Sequence, residues 1–103
     1  MTQIEELAEI AKRVMEKYRD EYPDVKMDRD YIPFKVTEEW GECLKAYLML
    51  SDRGRQKGMS KEKIKNEFAN ELADVFAYIL LFADQEDVDI ADALDNKWFS
   101  YLE

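Results

Sequence analysis

The chain has 103 residues, of which 47% are hydrophobic and 13% aromatic, enough apolar material for one packed domain spanning residues 1–103. Its net charge of −9 at pH 7 disfavours nucleic-acid and membrane partners, and the lack of histidine excludes catalytic triads and imidazole metal sites. The single cysteine, Cys43, excludes an intrachain disulfide and fits a cytoplasmic location, and the longest apolar run, nine residues, is too short to span a membrane.

Apolar residues recur every three or four positions, a spacing that predicts an all-α fold. The first predicted helix covers about residues 2–20, with Thr2 as its N-cap and Pro23 just after its end. Its apolar stripe consists of Ile4, Leu7, Ala8, Ala11, Val14, Met15 and Tyr18.

The second helix is predicted to begin near Pro33, after a polar connection, and to end near Ser51. Two glycines, Gly54 and Gly58, then break the apolar pattern. We place Trp40, at the centre of the apolar stripe, in the core.

The third helix is predicted to begin after Ser60, which has the side chain of an N-cap. Its second half, residues 75–83, is apolar on all sides, so we expect it to be buried. An acidic turn over residues 84–89 leads to a short fourth helix, marked by Ile90, Leu94, Trp98 and Leu102.

Four short helices with apolar surface on more than one side cannot bury that surface within one small monomer. The predicted architecture is therefore an all-α fold of the four-helix-bundle type that assembles as a homodimer or homotetramer.

Acidic residues on the second and third helices follow the same angular pattern. From the centre of the apolar stripe of the second helix, Glu39 lies at about −100° and Glu42 at about −160°. Glu71 and Asp74 occupy the same two angles on the third helix. Such carboxylates repel one another unless a cation lies among them, and oxygen-only ligands favour Mg²⁺, with Mn²⁺ as an alternative. Glu-rich helices also produce such pairs by chance, so a solvated acidic surface is the alternative interpretation.

These residues carry a family resemblance. Residues 37–42, TEEWGE, and residues 71–74, ELAD, resemble the Glu-Glu-x-x-Glu, spacer, Glu-x-x-Asp signature of MazG-like nucleoside triphosphate pyrophosphohydrolases, in the all-α NTP pyrophosphatase superfamily. The similarity covers roughly residues 34–98. It implies Mg²⁺-dependent cleavage between the α and β phosphates of an NTP or dNTP, including non-standard nucleotides, which releases the nucleoside monophosphate and pyrophosphate.

The resemblance also implies roles for single residues. It makes four carboxylates the metal ligands, namely Glu39, Glu42, Glu71 and Asp74. Glu38 is expected to be a further ligand or the group that orients the attacking water. Lys35, just upstream of the motif, is assigned to substrate binding, Tyr78 to a wall of the nucleoside pocket, and Lys97 to a phosphate contact. The family often has an asparagine four residues after that lysine, where this chain has Tyr101.

The segment from Asp52 to Lys65 is basic within an acidic chain. It contains six basic and two acidic residues, a net charge of +4. We interpret it as a lid over the triphosphate tail, with Arg53 and Arg55 as the contacts nearest the second helix. A solvated turn, or pairing with an acidic partner subunit, explains the same charge pattern.

Two other functions remain open from the sequence. Within the same superfamily, a phosphoribosyl-ATP pyrophosphatase shares the expected chemistry. In a different class, the chain is a non-catalytic helical assembly module whose acids bind a structural metal or only solvate the surface.

Overall fold

The computed structural model describes residues 2–103, which form four α-helices and a terminal 3₁₀ turn. The bounds are α1 Gln3–Glu21, α2 Tyr31–Leu50, α3 Lys61–Gln85 and α4 Ile90–Lys97, with the 3₁₀ turn at Phe99–Leu102. Residues 2–103 contain no β-strand, which confirms the predicted all-α class. Within this described part of the chain, no helix combines the length and hydropathy needed to cross a bilayer.

Polar side chains cap three of the helices at their first turn. Thr2 before α1 and Ser60 before α3 each accept a hydrogen bond of 3.1 Å from the backbone N–H three residues further along. Asp89 does the same before α4, at 3.0 Å. Each bond satisfies an amide that has no partner within its helix. The two caps predicted from the sequence, Thr2 and Ser60, are confirmed.

The ends of α2 differ slightly from the prediction. The helix begins at Tyr31, two residues before Pro33, because proline is tolerated in a first turn, where its missing N–H would have no partner. The helix ends at Leu50, and the first residue with a left-handed backbone is Asp52, at φ 61°, rather than Gly54. Aspartate tolerates this conformation better than most side chains.

Helix α3 is the centre of the fold, because both α2 and α1 pack against it. Cys43 of α2 and Ile64 of α3 are each only 1% exposed and fill the contact between those two helices. Met15, Ile32 and Leu81 form a second buried cluster where α1, α2 and α3 meet. The two clusters fix how α2 lies along α3, and this alignment positions the site described below.

Much of the apolar surface stays open in the single chain. The molecule measures 48 × 43 × 21 Å, and its radius of gyration of 16.3 Å exceeds the about 13 Å of a compact domain of this length. Trp40, predicted in the core, is 49% exposed. The second half of α3 is buried on one side only, since Phe76, Ile79 and Phe82 remain exposed. Helix α4 makes few contacts with the other helices, so one chain forms a flat layer and not a closed four-helix bundle.

Candidate metal site between helices α2 and α3

Three carboxylates from two helices meet near the middle of the α2–α3 contact. Glu39 of α2 and Glu71 and Asp74 of α3 each place a carboxylate oxygen within 4.8 Å of the others. The local reason is helical spacing, because Glu39 precedes the buried Cys43 by four residues and therefore shares its face. The same spacing relates Glu71 to the buried side chain at position 75.

The antiparallel pairing of α2 and α3 keeps these side chains in register. The rings of Tyr47 and Phe68 lie 6.1 Å apart at one end of the pairing, and Lys35 Nζ lies 5.8 Å from the centre of the Tyr78 ring at the other. Glu39 lies between these two contacts on α2. The acidic residues of both helices therefore face one another across a fixed contact.

The electrostatics of the site are those of carboxylates held close together. Burial is the main cause that raises the pKa of Glu71, and Asp74, Glu39, Glu42 and Glu67 raise it further by repulsion, in that order. A half-buried carboxylate surrounded by four others gains most from a bound cation. We use the name acidic triad for Glu39, Glu71 and Asp74.

Two further predicted carboxylates, Glu42 and Glu38, lie at the edge of the acidic triad. Glu42 is exposed and lies outside the group of three, yet near enough to Glu71 to raise its pKa. Glu38 is exposed and forms an ion pair with Lys35. The structure thus brings together three of the four predicted metal ligands and places the fourth beside them.

Lys35 provides the positive charge next to the acidic triad. Its Nζ lies 3.3 Å from Glu39 Oε1, and its side chain is only 22% exposed, against 15% for Glu39. Burial acts to lower the pKa of Lys35, but the hydrogen bonds with Glu38 and Glu39 outweigh it and raise the pKa. Glu38 and Glu39 follow Lys35 by three and four residues, a spacing that predicts this contact on a helix. The MazG-like motif by itself does not predict it.

Tyr78 closes the same end of the site. It lies one turn after Asp74 on α3, is partly buried, and packs against the cluster of Met15, Ile32 and Leu81. Burial is the main cause that raises the pKa of Tyr78, and Tyr31 adds to it, so the phenol stays protonated. Tyr78 therefore offers an aromatic ring and a hydroxyl group beside Lys35.

The remaining predicted contacts, from three exposed basic residues, are not paired with the acidic triad. Lys97 is exposed at the end of α4, the helix with few contacts to the others. Arg53 and Arg55 are exposed in the loop after α2, and Glu42 lies eight residues before the end of that helix, about 12 Å along its axis. Among residues 2–103, none of these three basic residues forms an ion pair with a carboxylate of the acidic triad, where Lys35 is the paired cation.

The donor set of the site fits a hard divalent cation. The acidic triad offers only carboxylate oxygens, which suit Mg²⁺ and Mn²⁺, and three carboxylates from two helices leave coordination positions for water and for phosphate oxygens. Comparison with known proteins adds nothing to this, since no family model, curated protein or solved structure matches the chain.

Proposed function

We propose that this chain is a metal-dependent nucleotide pyrophosphohydrolase of the MazG-like type, which converts an NTP or dNTP to the nucleoside monophosphate and pyrophosphate. One observation carries the proposal: carboxylates of two antiparallel helices lie within 4.8 Å of one another in the order that the motif predicts, with Lys35 and Tyr78 beside them. Phosphoryl transfer needs mainly positioning and charge neutralisation, which such a site supplies with its cation.

In the proposed reaction, water attacks the α phosphorus. The bond from this atom to the oxygen that bridges the α and β phosphates breaks, and pyrophosphate leaves. A divalent cation held there would supply the charge that neutralises phosphate and would make water a better nucleophile near neutral pH. The acidic triad would hold the cation, and Glu38 and Glu42, at its edge, would orient water. Lys35 contacts phosphate, and Tyr78 lines the nucleoside pocket.

We assign the proposed contacts from Arg53, Arg55 and Lys97 to a neighbouring subunit. All three are exposed and lie outside the acidic triad of their own chain. In a homodimer or homotetramer, the basic loop of one subunit can approach the carboxylates of another. We therefore include homo-oligomerisation in the proposed function.

The test is pyrophosphate release from a panel of NTPs, dNTPs and phosphoribosyl-ATP, with and without Mg²⁺. We expect Mg²⁺-dependent turnover that falls by at least about a hundredfold in Glu71→Gln and Asp74→Asn, because each removes a ligand charge. Glu16→Gln, an exposed acid on α1, is the matched control and should keep full activity. Equal turnover in all variants would contradict the proposal, and preference for phosphoribosyl-ATP would move the chain to the related branch.

A second function is supported by the open apolar surface. A flat helical layer with exposed Trp40 and Phe76 is typical of a subunit that functions by assembly. In that case, the wild-type chain forms oligomers without hydrolysing any triphosphate of the panel, and a bound metal is only structural.

A further inference from the structure

Two acidic side chains of the same helix hold Lys35. Its Nζ lies 3.3 Å from Glu39 Oε1, and it also forms an ion pair with Glu38. The proposed function requires this ammonium group to contact a phosphate of the substrate. The two carboxylates already compensate its positive charge. A phosphate therefore competes with both of them for Lys35.

The two carboxylates differ in how firmly they hold Lys35. The side chains of Lys35 and Glu39 are 22% and 15% exposed, so water screens this pair only partly. Glu38 is 62% exposed, and an ion pair with so exposed a carboxylate contributes little. Glu39 is therefore the main restraint on Lys35. It also belongs to the acidic triad, so the restraint and one of the proposed metal ligands are the same side chain.

A divalent cation in the acidic triad would act directly on this restraint. It would compete for Glu39 with twice the charge of the ammonium group, and it would repel that group. It would also be held by Glu71 and Asp74, whereas Lys35, among residues 2–103, forms ion pairs only with Glu38 and Glu39. Lys35 would therefore lose Glu39 and keep only the weaker pair with Glu38.

The surroundings of Lys35 keep it at the site after this loss. Its Nζ lies 5.8 Å from the centre of the Tyr78 ring, a distance at which the ring attracts an ammonium group. The proposed function makes Tyr78 a wall of the nucleoside pocket. The freed ammonium group thus stays on the side where a nucleotide would bind. A phosphate, with up to two negative charges, attracts it more strongly than the exposed carboxylate of Glu38 does.

From this we infer that Lys35 couples two binding events: its ammonium group leaves Glu39 when the acidic triad holds a divalent cation, and it then binds phosphate. The inference rests on the proposed function, from which it takes both ligands. Such coupling is reciprocal, so phosphate should tighten binding of the cation by the same factor as the cation tightens binding of phosphate. It also sets an order, because a phosphate that arrives first meets a neutralised lysine beside repelling carboxylates.

Nuclear magnetic resonance of protein labelled with ¹³C at the lysine ε-carbons follows Lys35 directly. Mg²⁺ alone should shift the Lys35 signal, and inorganic phosphate added afterwards should shift it again. Lys35→Arg removes this signal and so assigns it. Lys12 is the matched internal control: its Nζ lies 3.3 Å from Glu9 and 3.5 Å from Asp84, which follows Asp74 by about 15 Å along α3. The Lys12 signal should move with neither ligand.

Equilibrium dialysis with inorganic phosphate measures the coupling. Mg²⁺ should lower the phosphate dissociation constant of the wild type at least about fivefold more than that of Lys35→Gln. Direct contact of phosphate with the ion is common to both proteins, and the long-range effect of the lost charge is present with and without Mg²⁺. Only a Lys35 contact that requires the cation produces the difference. Lys35→Arg keeps the charge and should behave like the wild type, and an equal effect of Mg²⁺ in wild type and Lys35→Gln overturns the inference.

Titration with Mn²⁺ alone separates a failure of this inference from a failure of the proposed function. If Mn²⁺ binds the wild type and not Asp74→Asn, yet Mg²⁺ leaves the Lys35 signal in place, the ion and the ammonium group share Glu39 and only the inference is wrong. If no divalent cation binds, both proposals are wrong. Movement of the Lys35 signal with Mg²⁺ in a chain that hydrolyses no triphosphate would support the coupling and contradict only the hydrolase activity.

Discussion

At the scale of single residues, Lys35 lies where it would compete with the proposed metal ion. Its ammonium group lies 3.3 Å from a carboxylate oxygen of Glu39, a member of the acidic triad. An ammonium group and a divalent cation compete for the same negative charge. Lys35 therefore stabilises the carboxylates without metal, and we expect it to oppose the proposed metal binding.

Removing this charge should strengthen metal binding. We expect Lys35→Gln to lower the dissociation constant for Mn²⁺ about fivefold, which corresponds to the loss of one partly exposed ion pair. The measurement is a titration of free Mn²⁺ by electron paramagnetic resonance without nucleotide. Lys35→Arg keeps the charge and is the control, with an unchanged dissociation constant. An unchanged value in Lys35→Gln would show that Lys35 does not compete with the ion.

The carboxyl of Glu71 makes the stability of the metal-free protein depend on pH. Its pKa is raised in the folded chain above the ordinary value of 4.5, so the folded state binds its proton more readily than the unfolded state does. The contribution of Glu71 to the free energy of unfolding therefore falls as the pH rises from about the ordinary pKa through the raised one. At every pH above the raised pKa, the protein keeps the full loss of stability. We expect Glu71→Gln to remove this contribution and to be the more stable protein at neutral pH.

Urea denaturation of both proteins in the presence of EDTA, between pH 4 and pH 7, measures this difference. The informative quantity is the free energy of unfolding of the wild type minus that of Glu71→Gln. Other carboxyls, such as Glu86 with its lowered pKa, make the free energy of unfolding change with pH in the opposite direction, but they do so in both proteins. A difference that does not change with pH would contradict the role assigned to Glu71.

At the scale of helices, the sequence predicts local features well. The N-caps Thr2 and Ser60 were predictable because a cap depends on only three or four neighbouring residues. Exposure of Trp40 was not, since a wide apolar arc does not say which part faces its own chain and which part stays open. The convergence of Glu39 with Glu71 was predictable from the angles on two paired helices, whereas the position of Lys97 depends on how α4 packs, which its own sequence does not specify.

The cap of α3 should contribute measurably to stability, because this helix contacts both α1 and α2. Ser60→Ala removes the hydrogen bond to the N–H of Lys63 and should lower the free energy of unfolding by about 1 kcal/mol. Urea denaturation at one fixed protein concentration measures it. Ser60→Asp retains an accepting oxygen and should lose much less, so equal losses in both variants would argue against capping as the cause.

At the scale of the whole molecule, folding and association should be linked. A layer only 21 Å thick leaves Leu72 and Phe76 in water, so the single chain gains less from burial than a compact domain does. In the proposed homo-oligomer, a second copy would cover these residues in the folded chain and would not bind the unfolded one. Association then adds directly to the stability that a melting experiment reports.

The melting temperature of the wild-type chain should therefore rise with protein concentration. Differential scanning calorimetry over a hundredfold range of protein concentration measures this rise. Over that range, mass action should shift the melting temperature by about several degrees. Ile79→Asp should melt at one temperature throughout the range. A wild-type midpoint independent of concentration would mean that the folded chain is stable without its second copy.

The neighbouring positions of Glu39 and Trp40 have a consequence for how this chain tolerates change in length. One peptide bond separates Glu39 of the acidic triad from Trp40 on the open apolar surface, and a residue inserted or deleted between Trp40 and the buried Cys43 turns both by about 100° relative to Cys43. Such a change would remove ion binding and self-association together. Extra residues in the loop between α2 and α3 leave both helical registers intact, so length variation among descendants of this gene should be confined to that loop.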